Sequence, residues 1–185
     1  SPQSKKKEIL AISILGALVW ASLAPLYIFF GVYLRSLGCN YSTIGLILTA
    51  GSFLFSVPQV IFGAIADKIR NRRLIMSLAL LGRTIASLML LMSTDLVSIS
   101  AWYVGTSFLL SGFMPLTQSM VANISGRDEL GTSMGRYRLF GSAGWAGSCI
   151  LTGFLAKDAL RSIFPITFFL SGLAFLISAS LPEMK

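Results

Sequence analysis

Six long apolar runs, separated by short polar stretches, fill almost the whole chain: Ile9–Leu34, Thr43–Ala66, Leu74–Met92, Ile99–Ile124, Leu139–Ala156 and Ile163–Leu181. Most reach the ~20 residues that carry a helix across ~30 Å of hydrocarbon, and the fifth is the shortest. In lipid every backbone polar group has to be bonded inside its own segment, so such runs predict helices. The expected fold class is an all-α integral membrane protein, a six-transmembrane-helix bundle in which residues 1–185 form one unit. Little chain lies outside the runs, which leaves no room for a soluble domain.

The runs are not uniformly apolar. Arg138, Gly141, Trp145, Ser148 and Thr152 recur at spacings of three and four and therefore share one face of span five. Ser13, Gly16, Trp20, Ala24, Tyr27 and Gly31 do the same in span one, and Ser107, Ser111 and Gln118 align in span four beside Pro115. A helix face against lipid has no use for Trp striped with Ser, Thr and Gln. A face lining a polar cavity does, because rings stack on the apolar faces of a ligand while hydroxyls and amides bond its polar edges. Small residues also serve helix packing, and aromatics also form interfacial belts. Trp102 and Tyr103 fit the belt, whereas Trp20, Tyr27 and Trp145 lie deeper and are assigned to a cavity. Pro25, Pro58 and Pro115 interrupt spans one, two and four, where freed carbonyls and bends are tolerated only against protein or a wet cavity.

Composition agrees: hydrophobic residues make up 55% and charged residues 12%, against about 25% charged in soluble domains. The net charge of +8 would suit nucleic acid, but its distribution excludes that partner. With both ends inside, the cytoplasmic segments hold Lys5, Lys6, Lys7, Lys68, Arg70, Arg72, Arg73, Arg127, Arg136, Arg138 and Lys185; the opposite side holds Arg35, Lys157 and Arg161. That is the positive-inside bias, and it predicts a multi-pass cell-membrane protein with both termini cytoplasmic. Ile9–Leu34 is too long for a signal-peptide core. Cys39 and Cys149 fall at different depths and cannot pair, and the chain has no His. No metal or other cofactor is expected. No span carries HExxH, Gly-x-Ser-x-Gly or paired intramembrane Asp, so an enzyme is not expected either.

One charged hinge carries more than topology. Gly63-Ala64-Ile65-Ala66-Asp67-Lys68-Ile69-Arg70-Asn71-Arg72-Arg73 follows the pattern Gly-x-x-x-Asp-(Arg/Lys)-x-x-x-(Arg/Lys)-(Arg/Lys). It resembles the loop between helices 2 and 3 of the major facilitator superfamily, and the chain resembles the N-terminal six-helix half of that fold. Physically, a carboxylate such as Asp67 at a helix end is stabilised by nearby cations and by free N–H groups of other helix ends. Arg70 stands where the family usually has Gly, and Asn71 where it usually has a cation. Gly63, Asp67, Lys68, Arg72 and Arg73 are the gating residues the resemblance implies.

Arg136-Tyr137-Arg138-Leu139-Phe140-Gly141-Ser142-Ala143-Gly144-Trp145 looks like the start of helix 5 in the lactose permease branch of oligosaccharide and nucleoside proton symporters. Ala24-Pro25-Leu26-Tyr27 and Ser56-Val57-Pro58-Gln59 fit that branch too. The resemblance implies that Arg138 binds solute and Trp145 stacks on its ring. At the position of the permease's partner Glu this chain has Met120, so the galactoside clamp is incomplete, which argues against lactose itself.

The resulting expectation is secondary active transport of a small organic solute, sugar- or nucleoside-like, by alternating access. Trp20, Tyr27, Gln118, Arg138 and Trp145 would form the solute site, with membrane lipids and a second six-helix half as partners. That half is the C-terminal part of the same protein if the chain is a fragment, the favoured expectation, or a second copy. Alternatives are an efflux antiporter or uncoupled facilitator of the same superfamily, and a non-transporting six-helix membrane scaffold. Arg83 is the single charge deep inside a span, where insertion scales put it at roughly 2.5–3.5 kcal/mol unfavourable. It is a possible intramembrane charge site facing water or an anionic or carbonyl-bearing ligand, or paired with a carboxylate of another segment, or else a residue that bonds backbone carbonyls between helices or snorkels.

Overall fold

The computed structural model describes residues 2–68 and 72–180, with the side chains of residues 2–4, 66–68 and 127 outside that description. Six helices carry the chain: α1 (Pro2–Ser36), α2 (Tyr41–Lys68), α3 (Arg72–Met92), α4 (Leu96–Leu110), α5 (Phe113–Ala156) and α6 (Ile163–Ser180). Short polar connections start two of them. The Asn40 side chain accepts from the Thr43 N–H at 2.8 Å, and that of Asp95 from the Ser98 N–H at 2.9 Å. Each satisfies one of the donors that a helix start leaves without a partner.

The helix labels and the membrane spans part company in α4 and α5. The fourth span runs Leu96–Gly126 and the fifth Asp128–Ala156, so α5 contains the end of one and all of the other. Gly126, at φ 72° and ψ 173°, makes the reversal between them, a backbone setting that suits glycine. Span four is interrupted at Ser111–Gly112, three and four residues before Pro115. Proline has no N–H for the carbonyl four residues back and its ring crowds that carbonyl, which places the break there. Pro25 and Pro58 sit inside continuous helices. The fifth span begins eleven residues before Leu139, because its first turns are polar and hydropathy does not register them.

α1 is the centre of the bundle. It packs most extensively along α5 and next along α6, while α3 packs on α6 and α4, and α2 chiefly on α4. Within the apolar window of α1, 61% is buried, against 17% for α2. Where lipid is as apolar as leucine, helices hold together by close packing rather than by escape from water. Gly144 supplies such an approach, since a Cβ there would overlap the backbone carbonyl of Ala17.

Two apolar clusters fill the interior. One joins Ile12, Leu15 and Val19 of α1 to Leu80 of α3 and to Phe113, Leu116 and Tyr137 of α5. The other joins Leu26, Phe30 and Tyr33 of α1 to Leu90, Ile99, Tyr103 and Phe164. Tyr103 is 5% exposed and stacks on Phe30 at 4.1 Å between ring centroids, so it belongs to this core and not to an interfacial belt. Its neighbour Trp102 remains exposed. The whole amounts to an all-α bundle of membrane-spanning helices.

Candidate functional site

A cleft of about 400 Å³ lies between α1 and the two limbs of α5. Trp20 enters it from α1, Met114 and Gln118 from the limb before Gly126, and Tyr137, Arg138, Gly141, Ser142 and Trp145 from the limb after it. The size falls in the ~300–1,000 Å³ range of small-molecule sites. The Trp20 ring lies across Gly141, where a Cβ would stand 2.7 Å from Trp20 Cδ1. Any larger residue there would have to displace the indole.

Trp145 is the hub of the aromatic wall. Its ring meets Trp20 edge to face at 5.8 Å and 69°, and Tyr27 at 5.7 Å and 66°. Such pairs hold ring orientation and contribute ~0.5–1.5 kcal/mol each beyond area. Beside them Tyr137, 2% exposed, shares a 2.9 Å hydrogen bond between its hydroxyl and that of Thr117, tying the two limbs of α5 together at the base of the cleft. Arg138 is the charged member of the lining. It is exposed, and Met120, at the position of the partner Glu, is turned into the core at 5% exposure.

Four of the five expected solute residues, Trp20, Gln118, Arg138 and Trp145, thus share one cleft. Tyr27 is 57% exposed and reaches the cleft only through its contact with Trp145. Sequence reasoning missed Tyr137, Ser142 and Met114 as lining residues. The signal was present: Tyr137 precedes Gly141 by four, Ser142 follows Arg138 by four, and Met114 precedes Gln118 by four. The far end of the span-five stripe does other work. Ser148 donates to the Ala21 carbonyl at 2.6 Å, and Thr152 is fully buried, so this end holds α5 on α1. Ser107 and Ser111 bond carbonyls of their own helix turn.

Arg83 is 1% exposed and bonds across the bundle, its Nη2 donating to the Ser22 carbonyl and hydroxyl, Nη1 to the Thr106 carbonyl and Nε to the Ser171 hydroxyl. Of the gating residues, Gly63 faces Pro115, whose Cβ would lie 3.8 Å from a side chain added at that glycine. The Arg73 guanidinium donates to the Ala179 carbonyl at the end of α6, and Arg72 is half-buried. The side chains of Asp67 and Lys68 and all of residues 69–71 lie outside the described residues. Among the described residues, no group of three His, Cys, Asp or Glu is placed to hold a metal.

Comparison with known proteins places this geometry in context. The family model described as "MFS_1 like family" matches residues 9–185. Among solved structures, the chain is similar to a bacterial homologue of the human lysosomal transporter Spinster in its inward-facing, unoccupied conformation. The TM-score is 0.82 at 13% identity, covering all of this chain and 44% of that one. The occupied inward-facing form gives 0.76 at 14% identity, covering 96% and 44%. At these identities the likeness concerns the fold alone, and this chain spans less than half the length of the chain it matches. No curated protein matches its sequence.

Proposed function

Because the chain belongs to the MFS_1 like family, we propose that it forms the N-terminal half of a secondary active transporter for a small organic solute. The observation that carries this reading is the convergence of Trp20, Trp145, Gln118 and Arg138 on one cleft of about 400 Å³. Indole faces suit the apolar face of a sugar or nucleobase, and the amide and guanidinium suit its hydroxyl or carbonyl edges. The cleft is walled by one half only. A second six-helix half, in the same polypeptide or a second copy, closes it, and rocking of the two halves exposes it to each side in turn. Both termini and the loop around Arg70 face the cytoplasm of a cell membrane, as the distribution of Lys and Arg supports. Asp67, at the cytoplasmic end of α2, acts as a gate element. In the state closed to the cytoplasm it accepts from an arginine of this half and faces a helix N-terminus of the other, which biases the two-state equilibrium.

Uptake of labelled glycosides and nucleosides by the full-length protein in proteoliposomes tests the reading. Saturable uptake that rises with an imposed proton gradient marks a symporter. Uptake independent of the gradient marks a facilitator, and uptake driven by an opposing gradient an antiporter. Absence of transport for every class of solute would leave a six-helix scaffold.

A further inference from the structure

The bundle holds a polar layer that the cleft does not use. Ser22 of α1, Arg83 of α3, Thr106 of α4 and Ser171 of α6 meet at one level. On every one of these helices that level falls between the two apolar clusters: between Val19 and Leu26, Leu80 and Leu90, Leu110 and Tyr103, and Ala174 and Phe164. Arg83 stands eleven residues from one end of α3 and nine from the other, about 16 and 14 Å at ~1.5 Å per residue. Its four acceptors among the described residues, at 3.1–3.3 Å, are all neutral carbonyls and hydroxyls.

A guanidinium carries five N–H donors, so one Nη1–H has no acceptor among the described residues. The same guanidinium walls a small pocket of about 20 Å³ together with Tyr27, Ser52, Tyr103, Thr106 and Ser107. That volume exceeds the ~10–15 Å³ one water needs and lies far below what an organic solute fills. Ser52, an exposed residue, and Tyr103 bring hydroxyl-bearing side chains to its wall. Among the described residues, the carboxylates of Glu8, Asp95, Asp128, Glu129 and Asp158 stand near span ends or between spans, and none of them bonds Arg83. A permanent charge buried among neutral groups in hydrocarbon calls for a counter-charge.

We propose that this pocket binds one small inorganic anion of halide size. The anion accepts the remaining Nη1–H of Arg83 and turns the Ser52 and Tyr103 hydroxyls toward itself, which neutralises the layer. The site shares no lining residue with the cleft.

Chloride replacing gluconate at constant ionic strength, with Tm of the purified full-length protein as readout, tests the proposal. The expected result is a saturable rise of several degrees in chloride or bromide, because a ligand held by the folded state alone stabilises it. Bromide-soaked crystals should show an anomalous peak within hydrogen-bonding reach of Nη1. Arg83→Gln should abolish the rise. Should that variant fail to fold, Ser107→Leu fills the pocket while leaving the Arg83 bonds in place, and it should abolish the rise with Tm in gluconate retained. A Tm indifferent to halide, a response that survives Ser107→Leu, or a water alone in the pocket would overturn the proposal.

Discussion

Gly144→Ala should separate two helices that the fold holds almost backbone to backbone. The added Cβ would overlap the Ala17 carbonyl oxygen and stand 2.8 Å from its carbon and 3.0 Å from its Cα. Ordinary carbon contacts begin near ~3.5 Å, and the obstacle is main chain that cannot rotate aside, so α1 and α5 have to part by something on the order of 1 Å. Overpacking costs ~1–3 kcal/mol, and the better helix propensity of alanine returns about 0.8–1.0 kcal/mol. The net expectation is a loss of about 0–2 kcal/mol. Gly147 on the same helix is the control, since a Cβ there meets nothing within 4 Å. Gly147→Ala should be neutral or gain up to ~1 kcal/mol. Reversible unfolding of both variants in mixed micelles, titrated with a denaturing detergent, reads the difference. Equal stability of the two would refute the claim that α1 and α5 meet at Gly144.

Trp145→Ala should weaken solute affinity by roughly 1–3 kcal/mol, about 5- to 150-fold, and Trp145→Phe should retain most of it; unchanged affinity in both would move the site elsewhere. Asp67→Asn should shift the protein toward its inward-open state and slow transport with affinity within a few-fold, read by distance measurements between spin labels on the two halves; lost binding with an unshifted distribution would place Asp67 on the solute path. The Asp95 carboxyl is held below its usual range by the Ser98 N–H. The cap therefore stabilises α4 fully above the unfolded carboxylate range and is lost as pH falls through the depressed folded value. Asp95→Ala should remove that part of the acid dependence of Tm, and an unchanged dependence would contradict the capping role. Cysteines introduced at Asp95 and Asp158 should label in intact cells without permeabilisation, while one at Asn71 should not; the reverse pattern would invert the topology.

The six spans were legible because each apolar run is long and lipid leaves a helix as the only outcome. The boundaries were less so. The polar turns from Asp128 to Arg138 carry no hydropathy signal, and the break at Ser111–Gly112 is written in Pro115, which reads equally as a mere kink. The cleft was legible in part, since Trp20, Gln118, Arg138 and Trp145 have periodicity to mark them. Tyr137 and Tyr103 show the limit: only tertiary packing decides that Tyr137 walls the cleft while Tyr103 stacks on Phe30 in the core. For Arg83 the sequence left a ligand and carbonyl partners open. The fold supplies hydroxyl and carbonyl partners from three other helices, which lie 23 to 88 residues away along the chain.

Alkylation of a single cysteine at Ser142, inside the cleft, bears most directly on the role given to α1 and α5. In the full-length protein reconstituted in liposomes, a membrane-impermeant maleimide should label Ser142→Cys. Saturating amounts of any glycoside or nucleoside that the protein takes up should slow that labelling several-fold, and uptake should fall as the site is modified. Labelling at an unchanged rate, with uptake persisting after full modification, would mean that solute crosses the membrane without entering this cleft.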